Sequence, residues 1–320
     1  MIADFMRRLV QGRPIDGCSA VLLPFRGDRP DFASFGAHLR RCHDAGLTPA
    51  VNMDTGFGPQ LTPGERVEIL RETRLVLGDA SFIAGASIVG HEVGAEEAYR
   101  TEIDAIREAG AMPIIFQSAP LTANTGAALA SFYERILAGC DRALAFELGT
   151  MFAPFGAIYS LEDFERLLGI EALVGLKHSS LDRVPELQRL DVRDRVRPDF
   201  KVYTGNDLAI DMVMFGSDYL LGLSTFDPEA FAQRDRWWAE GDDRFFGLND
   251  ALQMLGAVGF RDPVPAYKHS ALLYLQESAM LDDELEVHPT CPRRPEWERS
   301  LMATCLERVR GAVGAPAQAV

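Results

Sequence analysis

Lysine is scarce in this chain. Only Lys177, Lys201 and Lys268 accompany 29 arginines among its 32 basic side chains, so any chemistry that needs a free amine has three places to start. Cysteine is almost as thin: Cys18, Cys42, Cys140, Cys291 and Cys305 are odd in number and never spaced Cys-x-x-Cys. That pattern argues against a zinc ribbon or a redox dithiol and fits reduced thiols in a reducing, cytoplasmic compartment. Long charge-free apolar runs are missing too, none reaching the roughly 20 residues of a membrane-spanning helix. The opening Met1-Ile2-Ala3-Asp4-Phe5-Met6-Arg7-Arg8 lacks the ordered regions of a signal peptide. Positive charge is also short: 47 acidic against 32 basic side chains give a net charge of −15. A surface of that sign repels phosphate backbones and anionic headgroups, so neither nucleic acid nor a membrane is an expected partner.

What the chain does have is apolar material, 47% of its 320 residues, enough for a large core and too much for a disordered chain. Eight short apolar runs recur at residues 18–24, 48–52, 82–87, 112–116, 143–147, 172–177, 201–204 and 219–223. They are apolar throughout rather than alternating, as strands covered on both faces are. Between them lie helical patterns, such as Phe35, Leu39 and Cys42, or Val67, Leu70 and Leu77, with apolar residues three or four apart. Thr62-Pro63-Gly64-Glu65 reads as a helix start with a capping box, and Ser160-Leu161-Glu162-Asp163 as another. Eight strand-helix units favour an α/β fold closed as a (β/α)8 TIM barrel, with an open doubly wound sheet as the competing arrangement. After Gly241 the strand rhythm stops and helical patterns follow at 246–258, 264–279 and 295–313. We therefore expect a barrel domain over 1–241 and a C-terminal helical extension over 242–320.

Barrel active sites form at the carboxyl ends of the strands, so the last residue of each run is where chemistry is expected. Lys177 closes the sixth run, where an apolar mouth would disfavour its charged form and leave a nucleophilic amine able to join a carbonyl as a Schiff base. Its plainer alternative is a rim lysine paired with an acid. Lys201 opens its strand and Lys268 falls in the helical extension, so both are expected far from the strand ends. Asp54 and Glu147 both lie at strand carboxyl ends and would face the lysine across the mouth, as general acid/base groups, as loop-bracing carboxylates or, for one of them, as a static ion-pair partner of Lys177. His178 follows Lys177 in a strand and so points to the helices, Tyr159 reads as a packing residue, and Trp237-Trp238 is expected to pack on the extension or a neighbouring subunit. The lone His91-Glu92 pair is weak grounds for a metal site, and none is expected.

Gly175-Leu176-Lys177-His178-Ser179-Ser180 resembles the Schiff-base motif of the dihydrodipicolinate synthase / N-acetylneuraminate lyase superfamily. Similar correspondences run along the chain. They include Leu23-Pro24-Phe25, Met53-Asp54-Thr55-Gly56-Phe57 with Leu61-Thr62-Pro63-Gly64-Glu65-Arg66, Tyr203-Thr204-Gly205-Asn206-Asp207, and Pro263-Val264-Pro265-Ala266-Tyr267-Lys268. The resemblance implies a class I lyase or aldolase that binds pyruvate or a related 2-oxo acid as an imine on Lys177, with no other cofactor and with an aldehyde as second substrate. It implies that Thr55 and Gly56 hold the carboxylate, that Gly205 and Asn206 line the site, and that the chain is a homo-oligomer, a dimer or tetramer.

The chain also departs from the family. Asp54 stands for a proton-relaying threonine, Phe146 or Glu147 for the strand-five tyrosine, and Pro154 lies near the usual carboxylate-binding arginine. Gln117-Ser118-Ala119-Pro120 replaces an aromatic pair. An aspartate-semialdehyde acceptor would miss its arginine, and the tyrosine's acid-base work would fall to another group. A sugar-acid dehydratase using the same imine, or a non-catalytic 2-oxo acid-binding protein, are the alternatives. The long loops at 149–160 and 88–94 are expected to set substrate choice.

Overall fold

The computed structural model describes residues 8–88 and 93–316. Its centre is a closed barrel of eight parallel strands: β1 (Gly17–Ala20), β2 (Thr48–Val51), β3 (Ile83–Ala86), β4 (Met112–Ile115), β5 (Ala143–Leu148), β6 (Leu173–Ser179), β7 (Lys201–Thr204) and β8 (Asp218–Leu221). Each strand pairs with the next, and β1 closes the ring by pairing with β8 through Gly17 to Tyr219 and Cys18 to Leu220. All eight apolar runs of the sequence therefore become strands of one closed sheet.

Alternation of side chains along each strand divides the core in two. Ala20, Ala50, Ile83, Ile114, Leu144, Phe146, Tyr203 and Leu220 belong to the group that fills the barrel interior. The larger cluster lies between strands and helices and runs without break from Val21 to Val309, so barrel and extension share one core.

Among the described residues, seven α-helices longer than a single turn surround the sheet: α1 (Phe32–Ala45), α2 (Pro63–Leu77), α3 (Ala95–Glu108), α4 (Gly126–Ile136), α5 (Leu161–Leu168), α6 (Arg183–Val196) and α7 (Pro228–Glu240). The expected caps are present. Thr62 and Glu65 exchange side-chain and backbone bonds at the start of α2, and the Ser160 hydroxyl accepts the Asp163 N–H at 3.0 Å. The seventh connection differs from the sequence reading. It carries a 3-10 segment, Ile210–Phe215, in place of a full α-helix. Val67, expected on the inner face of α2, is exposed. Arg66 takes the inward position there, its guanidinium donating to Leu61 O at 2.6 Å and to Glu102 Oε1 at 2.7 Å.

The extension consists of α8 (Arg244–Gly259), α9 (Tyr267–Glu277) and α10 (Glu298–Val313). Trp238 packs on Phe245, ring centroids 4.7 Å apart, which ties α7 to α8. Phe25, beside the mouth, exchanges two 2.8 Å backbone hydrogen bonds with Glu286. The Phe25–Glu286 pair holds the segment between α9 and α10 against the catalytic end of the barrel.

Candidate active site

The strand carboxyl ends enclose a cavity of about 200 Å³. Strands β5 and β6 supply Phe146, Leu148, Lys177 and Ser179, and the turns after β2 and β7 supply Met53, Asp54, Thr55, Gly205 and Asp207. The loop 149–156 adds Phe152, Pro154 and Phe155, and the extension adds Phe260 and Tyr267. Which side chains enter follows from strand register. Phe146 lies opposite Lys177 and Glu147 opposite His178, so one pair faces the cavity and the other the helices.

Lys177 is 9% exposed. Its ammonium donates to Ser179 Oγ at 2.8 Å and stands 4.2 Å from the Phe146 ring centre. Among the described residues no carboxylate forms an ion pair with it, so burial prevails and pulls its pKa from 10.5 down to about 8 against the opposing charges of Asp207 and Asp54. Gly205 is needed at this spot: a Cβ there would lie 2.1 Å from Ser179 Oγ and 2.7 Å from Lys177 Nζ. Asp207 faces the same space. Burial raises its carboxyl to about 7, while the charge of Lys177 and the Leu223 N–H, which donates to Oδ1 at 2.7 Å, oppose the rise.

On the other wall four groups are linked. Lys268 Nζ donates to Asp54 Oδ1 at 3.0 Å and Oδ2 at 2.9 Å, and Tyr267 OH donates to Asp54 Oδ2 at 3.0 Å. The Tyr267 hydroxyl also shares a 2.8 Å hydrogen bond with Thr55 Oγ1. Burial favours the protonated form of Asp54, but the Lys268 charge and the two hydrogen bonds outweigh it and hold the carboxyl below its usual range. Tyr267 is buried, and burial together with Asp54 and Asp207 pushes its phenol well up, so it is neutral.

Several sequence expectations need correction. Glu147 does not face the lysine. It is fully buried behind β5, where its carboxylate bonds His178 Nδ1 at 2.6 Å, both ends of the Arg189 fork and the Tyr159 N–H at 2.8 Å. Alternation alone sends it there. Lys268 is not remote: the 3-10 turn Val264–Ala266 directs the first turn of α9 into the mouth, bringing Tyr267 and Lys268 onto Asp54. Asn206 does not line the cavity, since its Oδ1 accepts Ser180 N and Leu181 N and its Nδ2 donates to Glu186 and Asp182 O. It braces the turn after β6. Gly56 gives its own N–H to Met53 O at 3.1 Å, leaving Thr55 as the member of that pair that lines the cavity.

Asp54, Thr55, Lys177 and Gly205 are thus brought together, and Glu147, Asn206 and Gly56 are not. Tyr267, Asp207 and Ser179 line the site without having been singled out. All three lie inside the quoted motifs, two of them one or two residues from a chosen position. Gln117 joins the wall, but its amide is spent on Ala157 N and O at 2.9 and 2.8 Å, which anchors the loop 149–156. His91 and Glu92, and with them part of the loop 88–94, lie outside the described residues.

Comparison with known proteins agrees with this architecture. The chain is 27% identical over 231 residues to the 4-hydroxy-tetrahydrodipicolinate synthase of Kosmotoga olearia, covering 70% of this chain and 75% of that protein. It superposes on the dihydrodipicolinate synthase of Thermotoga maritima with a TM-score of 0.77 at 17% identity, over 92% of this chain and 98% of the other. The Acinetobacter baumannii dihydrodipicolinate synthase, solved in complex with pyruvate, matches with a TM-score of 0.74 at 16% identity, over 93% and 99% of the two chains. The chain shares the TIM-barrel fold of the dihydrodipicolinate synthase / N-acetylneuraminate lyase superfamily, and these similarities support a place in it. Residues 86–277 match the family described as "Protein of unknown function (DUF993)", and the chain belongs to that family.

Proposed function

We propose that this protein is a Schiff-base lyase or aldolase acting on pyruvate or a related 2-oxo acid through Lys177. The observation that carries the reading is the lysine itself: an amine without an ion-pair partner among the described residues, with a pKa of about 8, at the floor of an apolar cavity. A useful fraction of such an amine is neutral near pH 7, and neutral amine is the nucleophile. Attack on the ketone carbon followed by loss of water gives a positively charged imine, an electron sink that lets the adjacent carbon–carbon bond form or break. Phe146 presents its ring face to that positive charge both before and after reaction. Thr55 is the side chain we assign to the 2-oxo acid carboxylate, and the imine is the only prosthetic chemistry required.

The remaining wall bears on the second substrate. Phe116, Leu148, Phe152, Pro154 and Phe155 present apolar surface, and Asp54 and Asp207 present carboxyl groups. An uncharged aldehyde suits such a wall better than an anionic semialdehyde, which would face two carboxyl groups and no arginine among the lining residues. The expectation of a homo-oligomer rests on the family resemblance and is measured by light scattering.

Incubation with pyruvate and cyanoborohydride, followed by intact-mass and peptide analysis, tests the reading. We expect one reduced adduct on Lys177, absent from K177M. An unchanged mass with every 2-oxo acid tried would leave a binding protein rather than an imine-forming enzyme.

A further inference from the structure

The strand-five position that the family resemblance gives to a tyrosine is held here by Phe146, which carries no exchangeable proton, and its neighbour Glu147 is sealed behind the strand. The cavity nevertheless has a phenol. It comes from the other side, on the first residue of α9. We propose that Tyr267, supplied by the C-terminal extension, is the catalytic residue that transfers protons to and from the substrate imine, with Asp54 and Lys268 as its positioning residues. This inference rests on the imine reading and deepens it.

Three observations support the assignment. Tyr267 lines the same cavity as Lys177. Its ring is held in place, stacked on Phe260 with centroids 4.2 Å apart and planes 15° apart. Its hydroxyl is oriented by two partners, donating to Asp54 Oδ2 and accepting from Thr55 Oγ1, at 3.0 and 2.8 Å. A hydroxyl so placed has one proton to give and a lone pair to receive another, which a shuttle needs. Asp54 is less suited to the task, because both its oxygens are engaged by the buried Lys268 ammonium, whose side chain is 4% exposed. That ion pair has a second consequence. Lys268 offsets part of the charge of the carboxylate beside the phenol, while Asp54 and Asp207 still favour the protonated form, so Tyr267 is a proton donor at rest and its phenolate is short-lived.

The proton balance closes. Lys177 amine adds to the ketone carbon, and its proton moves to the former carbonyl oxygen to give a neutral carbinolamine. Tyr267 gives its phenolic proton to that hydroxyl as the C–O bond breaks, leaving water, an iminium ion and a phenolate. The phenolate then takes a proton from the carbon next to the imine. This yields the neutral enamine and restores the phenol.

Exchange of the pyruvate methyl protons for deuterium reads this step without any second substrate. The rate is followed by proton NMR in deuterium oxide, with end-point cyanoborohydride trapping as a parallel measure of imine formation. For Y267F we expect end-point trapping retained and exchange slowed by about 100-fold or more, the usual range for loss of a general acid/base. K268M keeps the phenol but leaves Asp54 uncompensated, so exchange falls with trapping again retained. Y274F, on the same helix but bonded to Asp227 outside the cavity, exchanges like the parent protein. Parent-like exchange in a Y267F protein that still traps pyruvate would overturn the proposal, as would loss of exchange in D207N alone. Failure of the parent protein to trap any 2-oxo acid would instead overturn the imine reading beneath it. Should Y267F not fold, K268M decides, parent-like exchange counting against the proposal.

Discussion

At the scale of the residue, Lys177 and Asp207 act on each other. Burial lowers the lysine to about 8 and raises the carboxyl to about 7, and each charge restrains the shift of the other. The neutral amine is the reactive form, so trapping of pyruvate accelerates as pH rises, with a midpoint near about 8. Replacing Asp207 with Asn removes the negative charge that supports the ammonium. We therefore expect D207N to move that midpoint to lower pH, measured as initial trapping rate against pH. The same change acts on stability with a definite sign. Because the folded-state pKa of Asp207 is raised above its unfolded value, folding is penalised by its ionisation, fully above about 7 and not at all below 3.8. D207N should gain stability over the parent at pH 8, an advantage that fades toward pH 4, as read by urea denaturation.

At the scale of the element, adjacent strands β5 and β6 show how alternation allots roles. His178 can be placed outward from the sequence because it follows an inward lysine. The same reasoning applies to Phe146 and Glu147 only when it is known which residue of β5 lies opposite Lys177. A one-residue slip would exchange them. Glu147 is consequently a structural anion, joined to Arg189 and His178 in a fully buried group that pins α6 and the segment before α5 to the barrel. Removing one member leaves an arginine charge buried without its partner, which costs about 3–5 kcal/mol. We expect E147A to lose stability on that scale in chemical denaturation, while the fraction that remains folded still forms the Lys177 adduct. A specific loss of trapping in a folded E147A protein would restore Glu147 to the chemistry.

At the scale of the whole molecule, the extension is part of the site rather than an appendage. Its helices share one apolar core with the barrel, and Tyr267 and Lys268 complete the cavity wall. Such continuity predicts a single cooperative unfolding transition. Far-ultraviolet circular dichroism and tryptophan fluorescence, from Trp237 and Trp238 where α7 meets α8 and from Trp297 before α10, should report the same midpoint. Separated transitions would mean that barrel and extension unfold independently.

The eight strands, the helix caps and the lysine at the end of the sixth run were legible in the chain itself. Each depends on local pattern: apolar runs of strand length, capping hydroxyls with an acid three residues on, and an amine following an apolar stretch. Tertiary structure alone decided which carboxylate meets which cation. Asp54 and Lys268 are 214 residues apart and touch because the turn before α9 reaches across the mouth, while Glu147 leaves the cavity through the register of two strands. The physical reason is range. Burial patterns and caps are set within a few residues, whereas the partner of a buried charge is set by the packing that closes the barrel and folds the extension over it.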